Sequence, residues 1–161
     1  MQCQPNNGNC QCKEGFSGQK CNIACPEGWT LVGNECLQMS VDTKTYDDAA
    51  NYCRSIGSSL IEPMSPEENN ALVDFIATRS NKFWSENYFW IGINDKAQEN
   101  KFVYESSGQQ VTFTWWASGQ PDNAWGGEDC GMLWFRDNQW KWNDASCSSK
   151  FAFACQKPIS Q

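Results

Sequence analysis

Oxygen-bearing side chains are concentrated in one short stretch of the chain, GQPDNAWGGEDCG at residues 119–131. This stretch contains the carboxylates of Asp122, Glu128 and Asp129, and a further acid and amide follow Trp142 as the pair Asn143-Asp144. Calcium accepts about six to eight oxygen ligands in irregular geometry, and separate loops can supply them. The stretch therefore predicts a cation site, in which the glycines let the loop bend.

Histidine is absent from the chain, and its absence excludes several kinds of catalytic site. Ser-His-Asp triads, Cys-His pairs and HExxH zinc sites all need this residue. The ten cysteines in 161 residues are an even number, which indicates a disulfide-stapled protein rather than reactive thiols. We therefore predict that the protein is not an enzyme. A glycosidase with paired carboxylates is the remaining enzymatic alternative, but metal binding accounts better for the acids.

Charge and hydropathy exclude two classes of partner. The formal net charge is -7 and no cluster of Lys and Arg occurs, so the chain lacks the basic surface that a phosphate backbone requires. No apolar run approaches the length of a membrane span. The sequence predicts a secreted protein, or the extracellular domain of a cell-surface protein, with no nucleic-acid partner and no membrane insertion.

Residues 1–24 differ in composition from the rest of the chain. They contain four cysteines and almost no aliphatic residues, so crosslinks rather than a core must hold them. The run from Cys10 through Cys12 to Cys21 resembles the C-terminal half of an EGF-like module, which implies Cys12–Cys21 and leaves Cys3–Cys10. We predict a partial EGF-like segment at 1–24, a main domain at 25–157 and a tail at 158–161. We interpret the first segment as a stalk that binds no ligand of its own, rather than as a ligand-binding module.

Two helices are predicted from their capping residues. Thr45 caps a helix that runs from Tyr46 through Ser55, and Gly57 ends it. The sequence Ser65-Pro66-Glu67-Glu68 is a capping box with proline at the first helical position, and it begins a second helix that ends near Thr78. The acids of this box are interpreted as cap residues rather than metal ligands.

The rest of the chain shows only short β patterns. A hairpin is predicted around Gly33-Asn34, with Cys25 and Cys36 at hairpin distance. Further strands are predicted from segments rich in aromatic and β-branched residues: FWIGIN (89–94), KFVYES (101–106), VTFTWW (111–116), CGMLWF (130–135) and FAFACQ (151–156). Much of the remaining span must be loop, and long ordered loops are usually functional.

Several separate motifs resemble those of the C-type lectin domain family over residues 25–157. They are WIGIND (90–95), QPD (120–122), EDC (128–130), WND (142–144) and the final Cys147…Cys155. The resemblance implies an α+β fold of the C-type lectin-like type, with two helices, short antiparallel sheets, a long calcium-binding loop region and disulfide staples. Six cysteines alone allow many pairings. The resemblance implies the disulfides Cys53–Cys155 and Cys130–Cys147. It also implies Cys25–Cys36, which marks the long form of the domain.

The resemblance also implies where calcium binds. A principal ion would be held by five side chains: Gln120, Asp122, Glu128, Asn143 and Asp144. The Gln120–Pro121 peptide bond would be cis. One or two auxiliary ions would be held, together with Glu128, by Asp95, Glu99, Asn123 and Asp129, for which the alternative is a solvated acidic loop.

Open coordination positions on calcium can accept two vicinal hydroxyls of a sugar, which also hydrogen-bond to the surrounding amides and carboxylates. In the family, Gln-Pro-Asp is associated with galactose and N-acetylgalactosamine. The implied function is calcium-dependent binding of galactose-type glycans on glycoproteins, glycolipids or microbial surfaces. The sugar-binding residues would be Gln120, Asp122, Trp125, Glu128, Asn143 and Trp140.

The two tryptophans of that set are candidate platforms for the apolar face of galactose. Trp125 departs from the common galactose pattern, because Ala124 occupies the usual position of the tryptophan and Trp125 follows it. A protein-binding module of the same fold, with calcium in a structural role only, is the alternative function.

Overall fold

The computed structural model describes residues 25–40, 42–79 and 87–159, and the backbone alone of residues 3–6, 9–12, 16–17, 23–24 and 80–83. In the N-terminal part, β1 (Cys3–Asn6) pairs antiparallel with β2 (Asn9–Cys12), and β3 (Phe16–Ser17) pairs with β4 (Ile23–Ala24). The predicted bridges Cys3–Cys10 and Cys12–Cys21 lie outside the described residues.

Both predicted helix starts are confirmed. Helix α1 spans Tyr46–Ser55, and Thr45 Oγ1 accepts a hydrogen bond from Asp48 N at 3.3 Å. Helix α2 spans Pro66–Phe83, and Ser65 Oγ accepts from Glu68 N at 3.1 Å. The Glu68 carboxylate in turn accepts from Met64 N at 2.8 Å, so this acid is a cap residue. Helix α2 continues past the predicted end at Thr78 because neither glycine nor proline interrupts residues 79–83.

The main sheet is built from short strands, and the predicted hairpin around Gly33 is confirmed as β5 (Thr30–Val32) and β6 (Glu35–Met39). The other strands are β7 (Ser59–Leu60), β8 (Tyr88–Asn94), β9 (Val103–Tyr104), β10 (Cys130–Arg136), β11 (Gln139–Ala145) and β12 (Ala152–Pro158). Within the described residues, neighbouring strands of the sheet follow the order β11-β10-β8-β12-β6-β5. In addition, β7 pairs with β12 and β9 pairs with β8. All of these pairs are antiparallel except β8 with β12.

One predicted strand is absent from the described residues, another is shorter than predicted, and in the main sheet β7 and β11 were not predicted. The segment 111–116 is a loop that makes a single bridge, Trp116 to Trp142, and KFVYES contributes only β9. Rings of the loop residues Phe113 and Trp116 meet Trp142 edge-on at 5.6 and 5.7 Å, so packing rather than strand pairing places them. Strand β11 was missed because its Gln, Lys, Asn and Asp residues are poor strand formers.

Three disulfides tie these elements together in the described part of the chain. They are Cys25–Cys36, Cys53–Cys155 and Cys130–Cys147, as the resemblance implied. The second joins α1 to β12, and the third joins the start of β10 to the loop after β11. The third therefore crosslinks two segments that lie beside the acidic residues of interest.

Candidate functional site

Three of the predicted principal ligands come together at one point. A carboxylate oxygen from each of Asp122, Glu128 and Asp144 lies within 4.8 Å of the other two. Asp122 and Glu128 belong to the long loop between β9 and β10, whereas Asp144 belongs to β11. Three carboxylates at this separation repel one another, and a bound cation would offset that repulsion.

Asp144 holds the loop against the sheet. Its side chain is buried, and its two oxygens accept hydrogen bonds from Asp122 N at 3.1 Å and Asn123 N at 2.7 Å. A carboxylate that accepts two backbone N–H groups is held in one orientation. The sheet thus fixes the position of the loop residues that follow Pro121.

Glu128 is positioned by the same loop. Its backbone N donates to Asn123 Oδ1 at 3.0 Å, and its Oε2 accepts from Ala124 N at 3.2 Å. Partial burial raises the pKa of the Glu128 carboxyl, and the charges of Asp144 and Asp122 raise this pKa further. The ionised form of Glu128 is therefore disfavoured by its surroundings, as expected for a carboxylate that is arranged to bind a cation.

The two predicted amide ligands each have a buried side-chain oxygen that lacks a hydrogen-bond donor in the described part of the chain. Within the described residues, Gln120 Oε1 and Asn143 Oδ1 are buried and accept no hydrogen bond. A buried acceptor without a partner costs about 1–3 kcal/mol. Together with the three carboxylates they form an all-oxygen donor set of the kind that calcium prefers, so these residues fit that ion. The Gln120–Pro121 bond is cis, as expected.

A second acidic cluster lies at the end of β8. Single carboxylate oxygens of Asp95, Glu99 and Asp129 lie within 4.8 Å of one another. Asp95 Oδ2 accepts from Asn100 N at 2.8 Å, while Asp95 Oδ1 is buried with no partner among the described residues. Burial raises the pKa of Asp95, and the charges of Glu99 and Asp129 raise it further. This cluster also fits a hard cation.

The structure divides the predicted auxiliary ligands between the two clusters. Asp95, Glu99 and Asp129 form the second cluster, whereas Glu128 lies with Asp122 and Asp144. Asn123 is bonded to Glu128 N through its side-chain oxygen. Sequence reasoning missed the backbone partners that orient the acids, Asn100 N and Asn123 N, because loop conformation alone brings them into reach.

The two candidate platforms have opposite environments. Trp125 is fully exposed in a short 3-10 turn (Ala124–Gly126), where its φ is +62°. Trp140 is only 9% exposed, and its ring packs against Phe89 at 5.8 Å and Phe135 at 5.1 Å. The prediction that Trp140 is a sugar platform is therefore wrong, because stacking requires a free ring face.

Comparison with known proteins identifies the family. The model of the Lectin C-type domain matches residues 42–157. The chain belongs to the C-type lectin domain family. C-type lectin domains are binding proteins rather than enzymes, generally bind calcium and are typically extracellular. Among the described residues, no helix is long and apolar enough to cross a membrane.

One curated relative of this C-type lectin domain is named as a sugar-specific lectin. The chain is 37% identical over 145 residues to an alpha-N-acetylgalactosamine-specific lectin of Patiria pectinifera, with 84% of each chain covered. It is 35% identical over 127 residues to a perlucin-like protein of Mytilus galloprovincialis, covering 79% of this chain and 78% of the relative. The first of these names supports carbohydrate binding as the general function of the chain.

Solved structures confirm the predicted α+β fold. The carbohydrate-recognition domain of the mouse scavenger receptor C-type lectin matches with a TM-score of 0.72 and 29% identity, over 85% of this chain and 98% of that one. The C-type lectin CEL-I from Cucumaria echinata matches with a TM-score of 0.73 and 27% identity, over 84% of this chain and 97% of that one.

Proposed function

We propose that this C-type lectin domain binds galactose-type glycans through a calcium ion held by five side chains: Gln120, Asp122, Glu128, Asn143 and Asp144. The observation that carries this proposal is the pair of buried, unpartnered amide oxygens beside three clustered carboxylates. When bound, calcium would supply open coordination positions for two vicinal hydroxyls of the sugar.

The side chains around those positions would orient the sugar. The amide N–H groups of Gln120 and Asn143 can donate to hydroxyl oxygens, and the carboxylates of Asp122 and Glu128 can accept hydroxyl protons. Asp144 is buried and engaged by two backbone N–H groups, so we assign it to the metal and to loop positioning. The sequence of donors and acceptors along Gln-Pro-Asp supports the preference for the galactose hydroxyl pair.

Trp125 is the proposed stacking platform. It lies three residues from Asp122 along the chain and three from Glu128. Its ring is exposed and does not pack into the hydrophobic core of the described residues. An aromatic face packs against the C–H face of galactose. The Patiria relative is named as specific for N-acetylgalactosamine, which supports a sugar of the galactose type.

We further propose one auxiliary calcium at Asp95, Glu99 and Asp129, where it would tie the end of β8 to the start of β10. The proposed setting is a secreted or cell-surface protein whose partners are glycans on glycoproteins, glycolipids or microbes. Residues 1–24 are proposed to be a partial EGF-like segment ahead of the lectin domain at 25–157, with residues 158–161 as a tail.

A glycan array with calcium, repeated with excess chelator, tests the proposed function. We expect binding to glycans with terminal galactose or N-acetylgalactosamine in calcium and none after chelation, because without the ion the carboxylates repel one another. Equal binding in both conditions would contradict the calcium role. Binding to a glycoprotein that survives a large excess of free galactose would instead favour recognition of protein.

Exchanging acid and amide tests the source of the preference. In the double variant Gln120→Glu with Asp122→Asn, the donor and acceptor positions met by the hydroxyl pair are reversed. We expect the ratio of galactose affinity to mannose affinity to fall by at least about tenfold, which corresponds to about 1.4 kcal/mol. Competition binding with both monosaccharides measures this ratio. An unchanged ratio would mean that Trp125 or another contact determines the preference for galactose.

A further inference from the structure

A groove runs along the β10–β11 hairpin, lined by residues of both strands and by the loop residues 116–118. Its volume is about 640 Å³. The walls that matter here are two indole rings and four polar side chains: Trp116, Trp134, Arg136, Asp137, Gln139 and Lys141. Nothing in the proposed calcium site uses these residues.

Strand geometry places this groove next to the proposed ligands. In the β10–β11 register, Met132 is opposite Asn143, Trp134 opposite Lys141, and Arg136 opposite Gln139. Alternate residues of a strand share a face, so Gln139, Lys141 and Asn143 form one row. A rise of about 3.3 Å per residue puts Lys141 about 7 Å along the strand from Asn143.

The opposite wall also leads into the ligand loop. Ala117 lines the groove, and its carbonyl oxygen accepts a hydrogen bond from Gln120 N at 3.0 Å. Ala117 N donates to Trp142 O at 2.8 Å, on the residue that precedes Asn143. Both walls of the groove are therefore continuous with proposed calcium ligands, Asn143 along β11 and Gln120 along the loop.

The groove carries two cations that are held by aromatic rings. Lys141 Nζ lies 3.7 Å from the centroid of the Trp115 ring, and Arg136 Cζ lies 4.9 Å from that of Trp134. Such stacking restrains the charged group and leaves its N–H donors available. In the described part of the chain, Lys141 makes no salt bridge. Arg136 makes one, to Asp137 at 3.9 Å, and both partners are so exposed that it contributes little.

We propose that this groove is a second glycan subsite, which binds an anionic substituent on the sugar linked to the one at calcium. The proposal rests on the proposed function, because the first sugar must occupy the principal site. Restrained cationic donors match sulfate or carboxylate oxygens.

The test compares disaccharides that all keep the galactose diol free. The probes are N-acetyllactosamine, the same disaccharide with a 6-sulfate on its glucosamine, and a galactosyl-glucuronic acid, each titrated in saturating calcium. We expect the sulfated probe to bind about fivefold more tightly than the neutral one at low salt, with the gap narrowing as salt is added. The glucuronic acid probe shows whether a carboxylate can replace sulfate.

Substitutions in the groove test whether it causes the tighter binding of the sulfated probe. In the double variant Arg136→Gln with Lys141→Met, the ratio of sulfated to neutral affinity should fall to about one. The matched control Lys150→Met removes an exposed positive charge elsewhere and should keep the fivefold ratio. Equal affinity of the wild-type protein for all three probes, or a ratio that survives in the double variant, would overturn this inference alone. Failure of every probe to bind in calcium would overturn the proposed function together with it.

Discussion

Replacement of Asp144 with asparagine is expected to lower the affinity for calcium, and with it for galactose, by at least about 100-fold. The carboxylate contributes one of three clustered charges, and both of its oxygens accept backbone N–H groups of the ligand loop. An asparagine has one acceptor oxygen, so its NH₂ group would face one of those N–H groups. Both the charge and the loop position are then lost.

Calcium titration by calorimetry measures this prediction, and thermal unfolding in calcium and in chelator separates binding from folding. The wild-type protein should be stabilised by calcium, because a ligand that binds only the native state stabilises it. Asp144→Asn should lose most of this stabilisation. Asp74→Asn, an exposed acid on α2, is the control and should retain it. Calcium affinity of wild-type strength in Asp144→Asn would contradict the assignment of the principal site.

Removal of the Cys53–Cys155 disulfide is expected to have the largest effect on stability. The bridge joins residues separated by 102 positions, whereas Cys25–Cys36 spans only 11. Loop-closure entropy predicts a loss of about 4.7 kcal/mol for a loop near 100 residues and about 3 kcal/mol for a short loop. The larger value approaches the whole stability of many domains, which is roughly 5–15 kcal/mol.

Urea denaturation in saturating calcium compares the double variants Cys53→Ala/Cys155→Ala and Cys25→Ala/Cys36→Ala. The first should unfold at a much lower urea concentration than the second. Cys53 and Cys155 are buried between α1 and β12, so the alanines also leave small voids that add to the loss. If the two variants lost equal stability, loop closure would not be the source of the stabilisation.

The position of the proposed subsite explains why its residues escaped sequence analysis. Lys141 lies between two tryptophans in QWKWND, which has little aliphatic character and was not interpreted as a strand. The signal was present as alternation, because Trp140, Trp142 and Asp144 are buried while Gln139, Lys141 and Asn143 are not. Its period of two is typical of a half-buried strand.

Local interactions were sufficient to predict where the two helices begin and where the hairpin turns. Thr45 and Ser65 cap helices because their side-chain oxygens satisfy N–H groups only three residues away, an interaction that any short segment encodes. The composition of the loop at 119–131 likewise indicated oxygen ligands for a cation. The even cysteine count indicated a disulfide framework, although the pairing itself came from the family resemblance.

Only the tertiary structure decided which acids share a cluster, which tryptophan is free and which cations line the groove along the β10–β11 hairpin. Glu128 lies with Asp122 and Asp144, while Asp129, its neighbour in sequence, lies with Asp95 and Glu99. Trp140 is covered by Phe89 and Phe135, whereas Trp125 is uncovered. These outcomes depend on contacts between residues far apart in the chain. A residue type specifies what a side chain can bind, and the packing of distant segments determines what it meets.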